Sequence, residues 1–475
     1  VSDLASIKDQ YDLAVIGAGP AGLAAATLGA RFGLATVLFD EQPSPGGQIY
    51  RAITETPLRE RSLLGEDYWK GAKLADDFAR SGAHYAAGAT VWSISQEREI
   101  GVSMAGRARL LAARHVILAT GALERPFPIP GWTLPGVMTC GAAQILLKSS
   151  GVGLDGKVIL AGTGPLLWLL AAQYRRAGVR IDAMLDTTPH RNWLAAMPHL
   201  PKFLQSIYAA KGRLLLHEVK ASVKVVRGVT ALAARGEGRL QEVAYRVGHR
   251  REIRLPADTL LLHQGVVPNV NLASAIGCVH HWDETQLCFV PEIDEWGRSS
   301  VAGVSIAGDG GGIAGAEAAA ETGRLAALDA AWQLGKIDDF ARDRHAGPYR
   351  AALAEARHGR RFLDVLYRPA AAFRRPGGDT LVCRCEEVTA QQVLDAVKGG
   401  ATGPNQLKSF LRCGMGPCQG RLCGLTVTEL IAKARNTAPG EVGYYRLRPP
   451  VKPITVAELA SLPQSDAARK AVVRG

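Results

Sequence analysis

The sequence has no long hydrophobic run, no Cys-x-x-Cys pair and no repeat of fixed period, and each absence removes a class of protein. The uncharged apolar stretch Val158 to Tyr174 is shorter than the ~20 residues a spanning helix needs. Gly162, Gly164 and Pro165 also interrupt it, so no transmembrane segment is expected. No secretory leader is read at the start, where Val1 to Gln10 is polar. The expected location is therefore the cytoplasm, including association with the inner face of the membrane. Missing repeats exclude a solenoid. No RNA- or DNA-binding motif accompanies the basic residues, so nucleic acid is not an expected partner.

What is present is the composition of a folded α/β protein. Hydrophobic residues make up 47% and charged residues 21% of 475 positions, which suits several domains with large cores. Glycine is abundant, at 53 residues, and clusters where tight turns or close approaches to a ligand are expected. The net charge is +12, and half of that excess lies between Arg342 and Arg375, with nine Arg against three acids. A solvated face or a contact with another chain explains such a run most simply.

The first chemical signal opens the chain. An apolar strand, Tyr11 to Ile16, runs into Gly17-Ala-Gly19-Pro-Ala-Gly22 and an Ala/Leu-rich helix ending near Phe32. In this arrangement Gly17 makes the turn, Gly19 admits a pyrophosphate, and Gly22 lets the helix press on the strand. The helix N-terminus offers free N–H groups to the phosphates. A second strand ends in Asp40, 23 residues after Gly17, where a carboxylate would hold ribose hydroxyls; Glu41 is the candidate if the register slips by one. Downstream come Gly47-Gln48, a strand closing on Thr120-Gly121, and Gly308-Asp309 before another Gly-rich helix start. This set resembles the two-dinucleotide-binding-domain flavoproteins of the glutathione and thioredoxin reductase type. The resemblance implies FAD, with Asp309 on the ribityl chain and the following helix directed at the isoalloxazine.

Lys157 to Leu167 repeats the pattern with Gly162 and Gly164, but Leu167 stands where the third glycine belongs, and Asp186 follows 24 residues after Gly162. Either a bound nucleotide or a structural remnant fits that turn, and Leu167 favours the remnant. Disulfide reduction is excluded, because Gly47 leads into Gln48-Ile-Tyr-Arg51 and Cys140 has no cysteine within a turn.

Five of the eight cysteines lie between 383 and 423. Cys383-Arg-Cys385 and Cys413-Gly-Met-Gly-Pro-Cys418-Gln-Gly-Arg-Leu-Cys423 gather soft ligands from two short loops, suited to an iron–sulfur cluster or zinc. The spacing resembles the bacterioferritin-associated-ferredoxin type of [2Fe-2S] domain, departing from it in the Cys-x4-Cys spacing of the second pair. The expected ligands are Cys383, Cys385, Cys418 and Cys423, with Cys413 as alternate. Cys140, Cys278 and Cys288 read as buried small residues. Thr389 with Gln392 makes a capping box for a helix between the two loops.

Taken together, Pro45 to Arg51, Gly121 to Pro126, Cys383 to Thr389, Cys413 to Cys423 and Arg446 to Pro453 resemble the A subunits of bacterial opine oxidases over nearly the full chain. Related flavin subunits belong to hydrogen cyanide synthase and to dye-linked hydroxyproline or proline dehydrogenases. The resemblance implies an electron-relaying subunit with FAD and a [2Fe-2S] cluster, and leaves room for a second nucleotide or an FMN shared with a partner. It also implies a smaller FAD-dependent β subunit that oxidises N-substituted amino acids, with room for a further small subunit, and an electron acceptor. The competing expectation is a self-contained NAD(P)H-linked flavin oxidoreductase using the second turn.

The expected fold class is α/β, a two-dinucleotide-binding-domain flavoprotein with a small C-terminal α+β [2Fe-2S] domain. Boundaries are placed at 1–150 with 256–337 for the FAD domain, 151–255 for an inserted NAD(P)-like Rossmann domain and 338–379 for a basic helical connector. The [2Fe-2S] domain takes 380–436, and 437–475 form an extended tail.

Overall fold

The structure, a computed structural model, describes residues 4–463. Its first sheet has seven strands in the order 84–87, 36–40, 10–16, 107–118, 99–104, 90–94, with 304–306 also pairing with 107–118. The strand Arg107–Leu118 serves two partners on one side. Its first half pairs antiparallel with Glu99–Met104 and its second half parallel with Val304–Ile306. The carboxyl ends of the parallel strands 10–16, 36–40 and 304–306 therefore converge on one crevice, where open α/β sheets bind ligands.

Helices Pro20–Arg31 and Ala316–Gln333 cover one face of this sheet with a core made largely of alanine. Small side chains let the two helices touch backbone to backbone: a Cβ on Gly323 would collide with the carbonyl of Ala21. That contact brings the segment Gly308–Gly315 beside the first Gly-rich turn. The opposite face is filled by Val37, Phe39, Ile100, Val116, Leu118 and their neighbours.

The second unit is a five-stranded sheet in the order 225–227, 181–186, 158–163, 259–264, 137–139, whose pairs are all parallel. Strands Val137–Thr139 and Thr259–Gln264 belong to this sheet, so the second unit draws in chain on both sides of 151–255. The reason is local. Val158 to Thr163 is buried along its whole length and needs a parallel neighbour on each side. A three-stranded antiparallel sheet over 229–256 and helices His190–Ala196, Leu200–Leu204 and Ile207–Lys220 complete the unit.

The connector forms helices Asp339–Arg357, Arg360–Leu366 and Ala371–Arg374. It lies flat on the other units: Arg342 and Arg350 stack on Trp296, Phe362 stacks on Phe203, and Arg374 pairs with Glu429 of the cysteine-bearing domain. That domain packs Ala390–Lys398, Pro404–Leu411 and Gly424–Arg435 around its own core. The first of these helices opens on the Thr389/Gln392 capping box. No described helix is long and apolar enough to cross a membrane.

Candidate functional site

The first Gly-rich turn is built as its spacing requires. Gly17 has φ +106°, where a side chain is strained, and a Cβ on Gly22 would collide with the Gly17 carbonyl. Gly19 is different: a Cβ there would meet only Gly47 Cα, at 3.9 Å, and one on Gly121 would meet nothing within 4 Å. The space over both belongs to a cavity of about 1990 Å³ that also touches Asp40, Gln48, Thr120, Gly308 and Asp309.

Asp40 accepts the backbone N–H of Ala18 at 2.6 Å and of Gln42 at 2.8 Å, which fixes its carboxylate at the rim. Burial raises its pKa, and those two N–H groups and Arg51 oppose the rise. Glu41 is instead paired with Lys452 of the C-terminal tail, Nζ to Oε1 2.7 Å. Asp309 accepts the N–H groups of Ala314 at 2.8 Å and Gly315 at 2.9 Å, which sets the entry to helix Ala316–Gln333. Thr120 donates to the carbonyl of Asn269 at 2.9 Å. A carboxylate at the rim, a glycine floor and a second Gly-Asp turn around one cavity suit an extended dinucleotide.

The loop carrying Gly47 and Gln48 is held from behind by a residue the sequence did not single out. Lys148, 1% exposed, donates to the carbonyl of Ile49 at 2.8 Å, that of Gln48 at 3.3 Å and Gln144 Oε1 at 2.8 Å. Burial, with a smaller push from Arg51, lowers its pKa to about 7. Lys148 sits on helix Cys140–Ser150 and so ties that helix to the flavin-side loop.

At the second turn, Gly162 and Gly164 have φ +142° and +118°, and a Cβ on Gly162 would collide with the carbonyl of His263. Leu167 is fully buried in the core behind the turn. Gly164 lines the cavity, but Gly162 and Asp186 do not. Asp186, 8% exposed, accepts the backbone N–H of Thr188 at 2.9 Å, and burial raises its pKa. The connector is fastened alongside, Asn192 donating to the carbonyls of Leu366 and Arg368 at 2.9 and 2.8 Å. Between the two turns, His263 Nδ1 and Glu124 Oε1 lie 2.7 Å apart, and Glu124 also accepts the N–H of Gly141. Neither was visible as a pair, being 139 residues apart.

The cysteines fall into two groups. The sulfurs of Cys383, Cys413 and Cys423 all lie within 4.8 Å of one another and are buried. Hydrogen bonds from Cys413 and then Cys423 hold Cys383 down to about 2, while that sharing pushes Cys413 up to about 12 and Cys423 up as well. Three converging buried sulfurs are the soft donors that such a cluster or a soft cation takes. Cys385 adjoins Cys418, and burial raises its pKa. Gly416 makes room for Cys385, since a Cβ there would collide with it. Tyr445, from the tail, packs its ring against Gly414 and Gly420 and sets its hydroxyl 3.4 Å from Cys413 Sγ. The thiol set fits an iron–sulfur cluster, and the loop that supplies it reaches the same cavity, where Cys418, Arg421 and Leu422 form part of the wall. Asn271 donates to the carbonyl of Gln419 at 3.1 Å and fixes that loop.

The comparisons agree with this geometry. Residues 11–323 match the pyridine nucleotide-disulphide oxidoreductase family, and residues 381–433 match the BFD-like [2Fe-2S] binding domain. The chain is 49% identical to the A subunit of opine oxidase from Agrobacterium tumefaciens (strain Ach5), over 99% of this chain and 96% of that protein. It is 33% identical to the HcnB subunit of hydrogen cyanide synthase from Pseudomonas aeruginosa, over 94% and 98% of the two chains. Among solved structures, L-proline dehydrogenase from P. horikoshii superposes with a TM-score of 0.71 at 18% identity, covering 95% of this chain and 79% of that one.

Proposed function

Because the chain belongs to the opine oxidase A-subunit family, a group of flavin and iron–sulfur oxidoreductase subunits, we propose that it relays electrons for a heteromeric amine dehydrogenase. Its FAD would be held by the turn at Gly17, Gly19 and Gly22, by Asp40 and by Asp309. Four of the five clustered thiols would hold the [2Fe-2S] centre. A bound flavin exchanges two electrons and the cluster one at a time, so a protein carrying both converts pairs into single electrons. The observation that supports this reading is the shared wall: Cys418 and its loop border the same cavity as Gly19 and Asp309. In this reading the chain's residues would hold the two centres on one cavity.

Oxidation of the CH–NH bond of an N-substituted amino acid is assigned to a smaller flavoprotein partner. The decisive comparison is dye-linked turnover of opines by the fully loaded chain alone and by the co-purified complex. Turnover confined to the complex is expected; equal rates would place the substrate site in this chain. NAD(P)H is not an expected donor, since Leu167 replaces the third glycine and Asp186 is committed to Thr188. Anaerobic NADH should leave the flavin yellow.

A further inference from the structure

The cavity has a second end, where an arginine of the connector meets the start of a helix. Adenosine at Asp40 and phosphates over Gly19 leave the other half of the dinucleotide to run past Asp309. That direction leads to a compartment bordered by Gln286, Ile313, Gly315, Ala316 and Arg360. Helix Ala316–Gln333 begins here, with Gly315 as its N-cap at φ +95°, and turns its first N–H groups toward the same space.

Arg360 arrives from the connector, whose arginine-rich stretch reads in sequence as a docking face. Its Nη1 stands 3.4 Å from the position a Cβ on Gly315 would take. The charged or polar groups around the guanidinium are Asp364, 3.3 Å from Nε, with Tyr208 and Asp309. Asp309 Oδ1 is already engaged by Ala314 and Gly315; burial lowers the pKa of Arg360, but Asp364, Tyr208 and Asp309 outweigh it and raise the pKa, so the guanidinium stays charged. The guanidinium therefore stands at the cavity wall beside a helix N-terminus as a fixed, paired cation.

We propose that Arg360 faces the ring end of the bound FAD and raises its reduction potential. This rests on the flavin reading above. Two electrons and a proton taken up from the amine-oxidising partner leave the flavin ring richer in electron density, and a fixed cation beside it stabilises that form more than the oxidised one. The same pair then leaves one electron at a time to the iron–sulfur cluster. Without the cation the flavin would be a weaker acceptor.

The test uses the purified full chain with its flavin, in R360M, R360Q and R360K, and in R350M as a control whose arginine pairs with Glu295 outside the cavity. Flavin content is read first by absorbance, then the two-electron midpoint by equilibration with a reference dye. The neutral variants should keep their flavin and show a reduction equilibrium about tenfold less favourable, about 30 mV for a two-electron couple. R360K should recover most of the shift, and R350M should match the parent. An unchanged midpoint in flavin-loaded R360M or R360Q would overturn the proposal. Loss of flavin from both neutral variants would also overturn it, reassigning Arg360 to cofactor retention. A parent chain that holds no flavin would be a separate failure, that of the flavin reading itself.

Discussion

The chain contains two Gly-x-Gly turns of the same design, and their surroundings differ. At the first, Gly22 brings helix and turn into backbone contact, Gly19 leaves the floor of the cavity open, and Asp40 stands at the cavity wall. At the second, Leu167 fills the position of the third glycine, and Asp186 turns inward to Thr188. The connector is fastened to that second unit through Asn192. A strand–glycine–helix motif thus sets the same backbone path twice, while the third position and the covering chain differ between the two turns.

The largest contrast is expected at Gly19, whose φ of −76° an ordinary residue can adopt. G19L should fold and lose its flavin, because the side chain occupies the phosphate path. A folded G19L that stays fully yellow would remove the distinction between the turns. The carboxylates offer a milder comparison. D40A removes an acceptor of two backbone N–H groups and the expected ribose ligand, and should weaken flavin affinity by about 2 kcal/mol, roughly thirtyfold. D186A should leave flavin affinity unchanged and lower the thermal midpoint slightly, since only local hydrogen bonds with Thr188 are lost. Equal effects of the two substitutions on flavin binding, measured by fluorescence titration of the apoprotein, would break the comparison.

The smallest effect concerns Lys148, which joins the two units. Its folded pKa, about 7, lies below its ordinary value of 10.5. Between these values the unfolded chain binds a proton that the folded chain does not, so stability rises with pH over that window. Below pH 7 both states carry the charge and the burial cost is fully present. Thermal midpoints measured between pH 7 and 9 should rise more in the parent than in K148M, where this slope is removed. Parallel profiles would show that the ammonium is not strained by burial.

Much of the flavin half was legible because its chemistry is local: Gly17 to Gly22 and Asp40 are read within two strands and a helix. The cysteine loops were legible as a group, but their partition was not. Spacing favoured Cys383, Cys385, Cys418 and Cys423, whereas folding sets Cys413 beside Cys383 and Cys423. That arrangement depends on Tyr445, which enters from the tail against Gly414 and Gly420. Lys148 and the pairing of Glu124 with His263 gave no sequence signal, and Arg360 was legible only as one of a run of arginines, since each acts on residues brought near only by the packing of separate units. The paired glycines at 414 and 420 were a readable hint that a flat ring lies against that loop.

The relay reading is tested most directly by following the [2Fe-2S] signal by electron paramagnetic resonance after anaerobic addition of an opine. In the co-purified complex the signal of the reduced cluster should appear, and in the loaded chain alone it should stay absent although dithionite produces it. Reduction of the cluster by the opine in the isolated chain, to the same extent as in the complex, would contradict the assignment of substrate oxidation to a partner.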